Sequence, residues 1–429
     1  MAIPVTNAPG ALAGLPVIDA PGALAGLPVI DAPGALAGLR VIDLSTFLAA
    51  PQVSAMLADF GADVIKVEPP KGEALRSIGA QRNGGSLMWA LASRNKRAIT
   101  CNLDVEEGRA LFHRLVEQCD VLVENFPEEM LAAWGCRYED LRARNPNLVM
   151  VSVSCYGQSG PLADRPGAGT LAEAFGGLTH MTGMAEGPPM LPSVPLGDTL
   201  VAYSGVIGAL VASWHARVNG GGGQHVDVSM YEPVLTILQS TIVAFDPASE
   251  EVPPHRSGSR ITTGVPRNIY GCADGQWIVV SGTTDRQVAR ILGLIGHDTD
   301  EDRAKFAKSA NRLRNADELD GYVAEWVSRT PGRDAIAGFE SCRVPVAPVH
   351  DVPGLLADPH IAARHSLTTL ADPVMGDITL VSPSPKLGAT PGTIRFSGPA
   401  LGAHNEEVYG ELLGLDAVAL ADLVSRGVV

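Results

Sequence analysis

The larger part of this sequence predicts a parallel, doubly wound α/β sheet, and three observations point to it. Short apolar runs rich in Val and Ile recur at 40–44, 62–67, 97–101, 121–124 and 149–153. Several are separated by stretches with helical apolar spacing, notably 51–60 and 105–118. A chain of 429 residues is too long for one compact core, so at least two domains are expected. Strand, helix and strand at such intervals place the strands parallel, with helices on both faces.

Three copies of a 12-residue unit open the chain: APGALAGLPVID at 8–19 and 20–31, then APGALAGLRVID at 32–43. Only the third has Arg40 where the others have Pro, and proline removes a donor from a strand ladder. Residues 1–35 therefore read as a repetitive extension, and the first domain begins at 36. In it, helix 51–60 carries Pro51 at its start, where a missing N–H costs nothing. Helix 105–118 is apolar at Leu111, Leu115 and Val116. The nearly uncharged run 199–216 reads as a core helix rather than a membrane span, ended by Asn219 and four glycines, before a strand over 224–230. This gives a first part of the large domain at 36–243. A Pro-, Ser- and Gly-rich linker or active-site loop follows at 244–268, then a small α+β domain at 269–345 with a strand at 277–281 and helices at 284–295 and 315–328. Residues 346–429 return to the large domain and end in a Leu-rich helical pair over 404–427.

Composition narrows the function. A formal net charge of −15 argues against nucleic acid or an anionic membrane as partner, though not against an anionic substrate. Six scattered cysteines without a CxxC pair fit reduced thiols in the cytoplasm and no structural zinc. No G-x-G-x-x-G follows the first strand, no Walker A loop or G-x-S-x-G elbow occurs, and the histidines have no metal-ligand spacing. The GGGG run 220–223 lies between helix and strand, the wrong order for a phosphate cradle. Asp198, on local grounds alone, is an acidic cap opening an apolar helix.

Several blocks in register say more: GLRVIDLSTFLAAP (38–51), GADVIKVEPPKGEALR (61–76), SRNKRAITCNL (93–103), DVLVENFPEEMLAAWG (120–135), SVSCYGQSGP (152–161), PLGDTL (195–200), GGGGQHVDVSMYE (220–232) and the tail 385–408. Together they resemble the family III CoA-transferases, over roughly residues 36–429. The resemblance implies a Rossmann-like large domain built from both chain ends, a smaller domain between, and an interlocked homodimer. It also implies that Asp198 is the nucleophile, with a coenzyme A thioester as substrate and no permanently bound cofactor or metal. An aspartate suits this chemistry. Its carboxylate attacks the donor thioester to form a mixed anhydride, and the freed thiolate returns to give an aspartyl-CoA thioester. The incoming acid then reverses both steps. A helix start would keep that carboxylate ionised.

CoA contacts implied in the same way fall on Leu48, Ala49, Cys101, Asn102, Leu103, Asp104, Asn125, Phe126 and Pro127. Family arginines that hold phosphate fall here on Pro69 and on Ala133 or Trp134, leaving Lys71, Arg76 or Arg137 as substitutes unless these are simply solvated. The stretches PKLGATPGTIR and RPGAGTLAEAFGGL are most like transferases that use succinyl-CoA and a dicarboxylate, and Arg260 or Arg267 would then pair with the distal carboxylate. A racemase on the same scaffold needs a His where this chain has Ala168 and a Glu at Gly271. A CoA-ester lyase or hydratase, and a non-catalytic CoA-binding protein, are the remaining alternatives.

Overall fold

The computed structural model describes residues 17–18, 34–249, 254–261 and 263–429. The chain divides into two compact units, one holding 192–240 and 359–429 together with the segment ending at Gly177, the other holding 178–191 and 241–358. Most of the N-terminal repeat lies outside the described residues. Val17–Ile18, in its first copy, pairs in parallel with Thr369–Leu370.

The larger unit is built on six parallel strands. In chain order they are β1 (Arg40–Leu44), β2 (Asp63–Glu68), β3 (Arg97–Thr100), β4 (Val121–Glu124), β5 (Val149–Ser154) and β6 (His225–Ser229). Their spatial order is 3-2-1-4-5-6. Strands covered on both faces can be apolar at every position, which is why they stood out in the sequence. Ile42, Ile65, Ile99, Leu122 and Met150 enter one core layer with Phe112 and Leu115 of helix α2 (Glu106–Val116), and the C-terminal Val408, Tyr409, Leu420 and Leu423 join them. Val41, Val64, Val121, Val123 and Val151 point the other way, against helices α1 (Ala49–Asp59) and α4 (Leu196–Val218). Both chain ends thus complete one doubly wound domain.

Two expectations need correction. α4 is not a core helix throughout: Val201, Ala202, Gly205, Ala209 and Ala212 are buried, but Tyr203, Ile207, Val211, Trp214 and Val218 stand exposed. It is the one described helix long and apolar enough to cross a membrane, and only 39% of that stretch is buried. The second correction is a hairpin, Leu367–Asp372 with Gly376–Val381, in a region without an assigned strand. The four glycines do make the turn: Gly220 and Gly222 have positive φ, and a Cβ on Gly223 would stand 2.0 Å from the Leu148 carbonyl oxygen.

The smaller unit carries an antiparallel sheet of Arg267–Gly271, Trp277–Ser281 and Val346–Pro348. Helices Asp285–Ile295, Ala316–Ser328 and Gly332–Ser341 accompany it, and its core includes Tyr270, Ile278, Val280, Ile291, Val323 and Phe339. Thr284 caps the first of these helices in a reciprocal box with Gln287.

Candidate active site

In a sheet of order 3-2-1-4-5-6 the connections leave β1 and β4 in opposite directions, so a crevice opens where their carboxyl ends part. A cleft of about 350 Å³ lies there. Leu44–Thr46 follow β1, Val67–Pro69 and Glu73 come from β2 and its loop, Cys101–Asp104 follow β3, and Phe126, Met130 and Trp134 follow β4.

Side chains fix these loops. The Asn125 carboxamide accepts from the Thr46 N–H at 2.9 Å and donates to the Thr46 carbonyl at 3.0 Å, extending the β1–β4 pairing by one rung. The Glu124 carboxylate accepts the Phe126 N–H at 2.8 Å, turning that ring toward Trp134, which it meets edge-on at 5.0 Å. The Trp134 indole in turn donates to Asp104 at 3.3 Å. Asn102 is tied to the chain end by its N–H on Val428 and its side chain on Gly427. The apolar wall of Leu103, Phe126, Met130 and Trp134 suits a flat heteroaromatic group.

Of the CoA contacts implied by the resemblance, Cys101, Asn102, Leu103, Asp104 and Phe126 come together in this cleft. Asn125 braces its wall. Pro127 occupies the N-cap of Glu128–Trp134, Leu48 that of α1, and Ala49 is buried at the start of α1. Leu48 follows Phe47, whose φ of 62° is unusual for a residue with a side chain and whose ring is exposed. Nothing in the sequence marked Phe47. Burial pushes the Cys101 thiol up to about 12, so it offers no thiolate.

The cations near the cleft are mostly engaged. The Arg76 guanidinium grips Glu68 through two bonds of 2.7 and 2.6 Å and lies 3.8 Å over the Trp89 ring. Arg137 pairs with Glu128 at 2.6 Å, while Lys71 is exposed. Lys66 is wholly buried beneath the β1 loop, where it donates to the Ser45 carbonyl and pairs with Asp43 and Glu73. In the smaller unit, Arg260 is held by Asp320 and Asp317 at 2.7 and 2.8 Å, and Arg267 is exposed.

Asp198 stands in the first turn of α4, half-buried, and is not among the residues lining the cleft. It is not the N-cap; that position is Pro195. Helix α3 (Gly169–Phe175) passes against it so closely that a Cβ on Gly169 would lie 2.4 Å from the Asp198 carboxylate. Ala168, just before Gly169, is the N-cap of α3, and Gly271 ends a strand of the smaller unit; neither offers an acid or base. The helix start does not win at Asp198. Burial raises its pKa and the Glu173 charge adds to this, against its own backbone N–H. Glu173 escaped notice in the sequence, yet it is fully buried beside the nucleophile candidate.

The family model described as CoA-transferase family III matches residues 36–405. Succinyl-CoA–D-citramalate CoA-transferase of Chloroflexus aurantiacus is 38% identical over 385 residues, spanning 89% of this chain and 95% of that one. The beta subunit of succinyl-CoA–L-malate CoA-transferase from the same organism is 37% identical over 391 residues, covering 90% and 96%. The crystal structure of a CaiB/BaiF family protein from Brucella suis superposes with a TM-score of 0.78 at 28% identity, covering 89% of this chain and all of that one.

Proposed function

We propose that this chain, which belongs to CoA-transferase family III and is therefore an enzyme of the transferase class, moves CoA from succinyl-CoA to a dicarboxylic acid through covalent intermediates on Asp198. The observation that carries the mechanism is the Asp198 carboxylate itself, half-buried against a glycine and raised in basicity by its surroundings. Desolvated carboxylates are better nucleophiles than hydrated ones.

Asp198 attacks the succinyl carbonyl, the C–S bond breaks, and CoA leaves as the thiolate. The thiolate attacks the Asp198 Cγ of the anhydride and releases succinate, leaving CoA on Asp198. The acceptor carboxylate attacks that Cγ, frees the thiolate and forms a second anhydride. Thiolate attack on the acceptor carbonyl then yields the new thioester and restores Asp198. No step consumes water. The cleft at the ends of β1–β4 holds the nucleotide end of CoA, with Phe126 and Trp134 as its apolar wall. The dicarboxylate reading rests on relatives whose acceptors are citramalate and malate.

The working molecule in this reading is a cytoplasmic homodimer with no membrane or nucleic-acid partner and no permanent cofactor. The exposed stripe of α4 supports a second copy as its cover, since the opposite face of that helix already packs on the sheet. Mass spectrometry of protein mixed with succinyl-CoA tests the mechanism. A hydroxylamine-sensitive adduct on the peptide carrying Asp198, absent in Asp198→Ala, is the expected result. An unmodified Asp198 during turnover would sink it.

A further inference from the structure

Glu173 is fully buried on α3. One carboxylate oxygen accepts the Gly197 N–H at 2.8 Å, and the other has no partner. Gly197 immediately precedes Asp198, and α3 also presents Gly169 directly against the Asp198 carboxylate. Space is closed around both groups: a Cβ on Gly197 would meet the Gly169 carbonyl at 2.8 Å and Glu173 at 3.3 Å. A buried carboxylate with an empty acceptor site costs free energy wherever it occurs.

We infer that Glu173 is a positioning residue for the transfer, holding the first turn of α4 by its bond to Gly197 and destabilising the free Asp198 carboxylate by its charge. The proposal rests on Asp198 as nucleophile. Acylation turns Asp198 from an anion into a neutral anhydride or thioester, with the negative charge leaving on the thiolate. The repulsion between the two carboxylates exists before acylation and disappears after it. Glu173 therefore shifts the covalent equilibrium toward the occupied enzyme and favours the attacking step.

Other charges packed on this region are engaged elsewhere. On α1, Asp59 is bound by Arg94; Glu232, after β6, takes the Ser229 hydroxyl; Asp227 accepts the Gln158 N–H. β5 carries no titratable side chain. Burial and Glu173 both raise the Asp198 pKa, so removing the Glu173 charge lowers it.

The test compares Glu173→Gln, which keeps an oxygen for Gly197 and removes the charge, with Glu173→Asp, which keeps the charge and shortens the reach. With Glu173→Gln, the acidic limb of kcat/KM for succinyl-CoA moves down by about one pH unit. The fraction of enzyme trapped as adduct falls severalfold, while the thermal midpoint holds or rises. With Glu173→Asp, the acidic limb stays in place and kcat falls about tenfold or more. A Glu173→Gln enzyme with wild-type limb and adduct level overturns the inference. If that variant does not fold, a Glu173→Asp limb displaced to lower pH overturns it, and an unmoved limb with lowered kcat supports it. Failure of the underlying mechanism looks different, because wild-type protein itself would then form no adduct at Asp198.

Discussion

At the scale of single residues, the site is defined by what leaves no room. Gly169 has no side chain because the Asp198 carboxylate occupies the place a Cβ would take, and the Asp198 backbone nitrogen lies 3.2 Å from the same point. Gly169→Ala is expected to lower kcat/KM at least tenfold by turning the carboxylate away, while costing about 1–3 kcal/mol of stability. Steady-state kinetics beside urea unfolding separates the two effects. Glu124 gives a second residue-level prediction. Burial pushes its pKa from an ordinary 4.5 to about 7, against the Ser152 hydroxyl and the Phe126 N–H. A raised carboxyl pKa means the folded state binds more protons, so stability is full at low pH and lost as pH climbs from 4.5 through about 7. Glu124→Gln should flatten that decline and gain roughly 1–3 kcal/mol on wild type at pH 8. Unfolding curves collected from pH 5 to pH 8 would show the two proteins converging toward acid. Parallel curves would rule it out.

At the scale of elements, the strand ends are braced by buried charge. Asp43 on β1 takes Lys96 at 2.6 Å and Ser54 at 2.8 Å, with Lys66 at 3.7 Å, all three charged side chains being fully buried. Burial alone would raise the Asp43 carboxyl, but the two lysines hold it well below the usual carboxylate range. Asp43→Ala would leave the buried Lys96 ammonium with the Pro51 carbonyl at 2.8 Å but no carboxylate, and Lys66 with Glu73 as its remaining ion-pair partner, and a loss of about 3–5 kcal/mol is expected in chemical denaturation. Breaking the exposed Arg303–Asp298 pair should leave the midpoint unmoved. These elements also show how far the sequence could be read. β1 to β6 were legible because strands buried on both faces need apolar side chains at nearly every position. The hairpin at 367–381 was not: its strands mix Thr, Asp and Gly with Leu and Ile, and only four of their twelve positions are buried. Cys101–Asp104 and Phe126 were placed by resemblance, and the cleft gathers them. Glu173 was beyond reach, since a Glu in an Ala-rich helix reads as an exposed position. Its burial is set by α4, packed across from it and 24 residues away at the bonded nitrogen.

At the scale of the molecule, α4 carries two requirements in one sequence. Its small residues Ala202, Gly205, Ala209 and Ala212 let it lie close on α1 and the sheet; a Cβ on Gly205 would stand 2.6 Å from Val53. Its other side repeats large apolar groups at 203, 207, 211, 214 and 218, a spacing of four, four, three and four that makes a continuous stripe. Ile207, Val211 and Trp214 are 63%, 64% and 65% exposed. Length and composition would let this helix cross a membrane, but inserting it into lipid would require stripping its buried face from the core. In the proposed homodimer a second copy of the chain would cover the stripe without that loss, and burying each such side chain would contribute about 1.5–3 kcal/mol. Replacing Ile207 and Val211 together by Lys should therefore convert a dimer to monomer in sedimentation equilibrium, with no loss of the monomer's own sheet packing. Monomeric wild-type protein, or a dimer undisturbed by both lysines, would reject the stripe as the interface. The same measurement bears on catalysis. Asp198 opens the helix whose later turns carry the stripe, so a cover that holds α4 also holds the carboxylate. Adduct formation in the double variant is then expected to fall with dimer content as the protein is diluted.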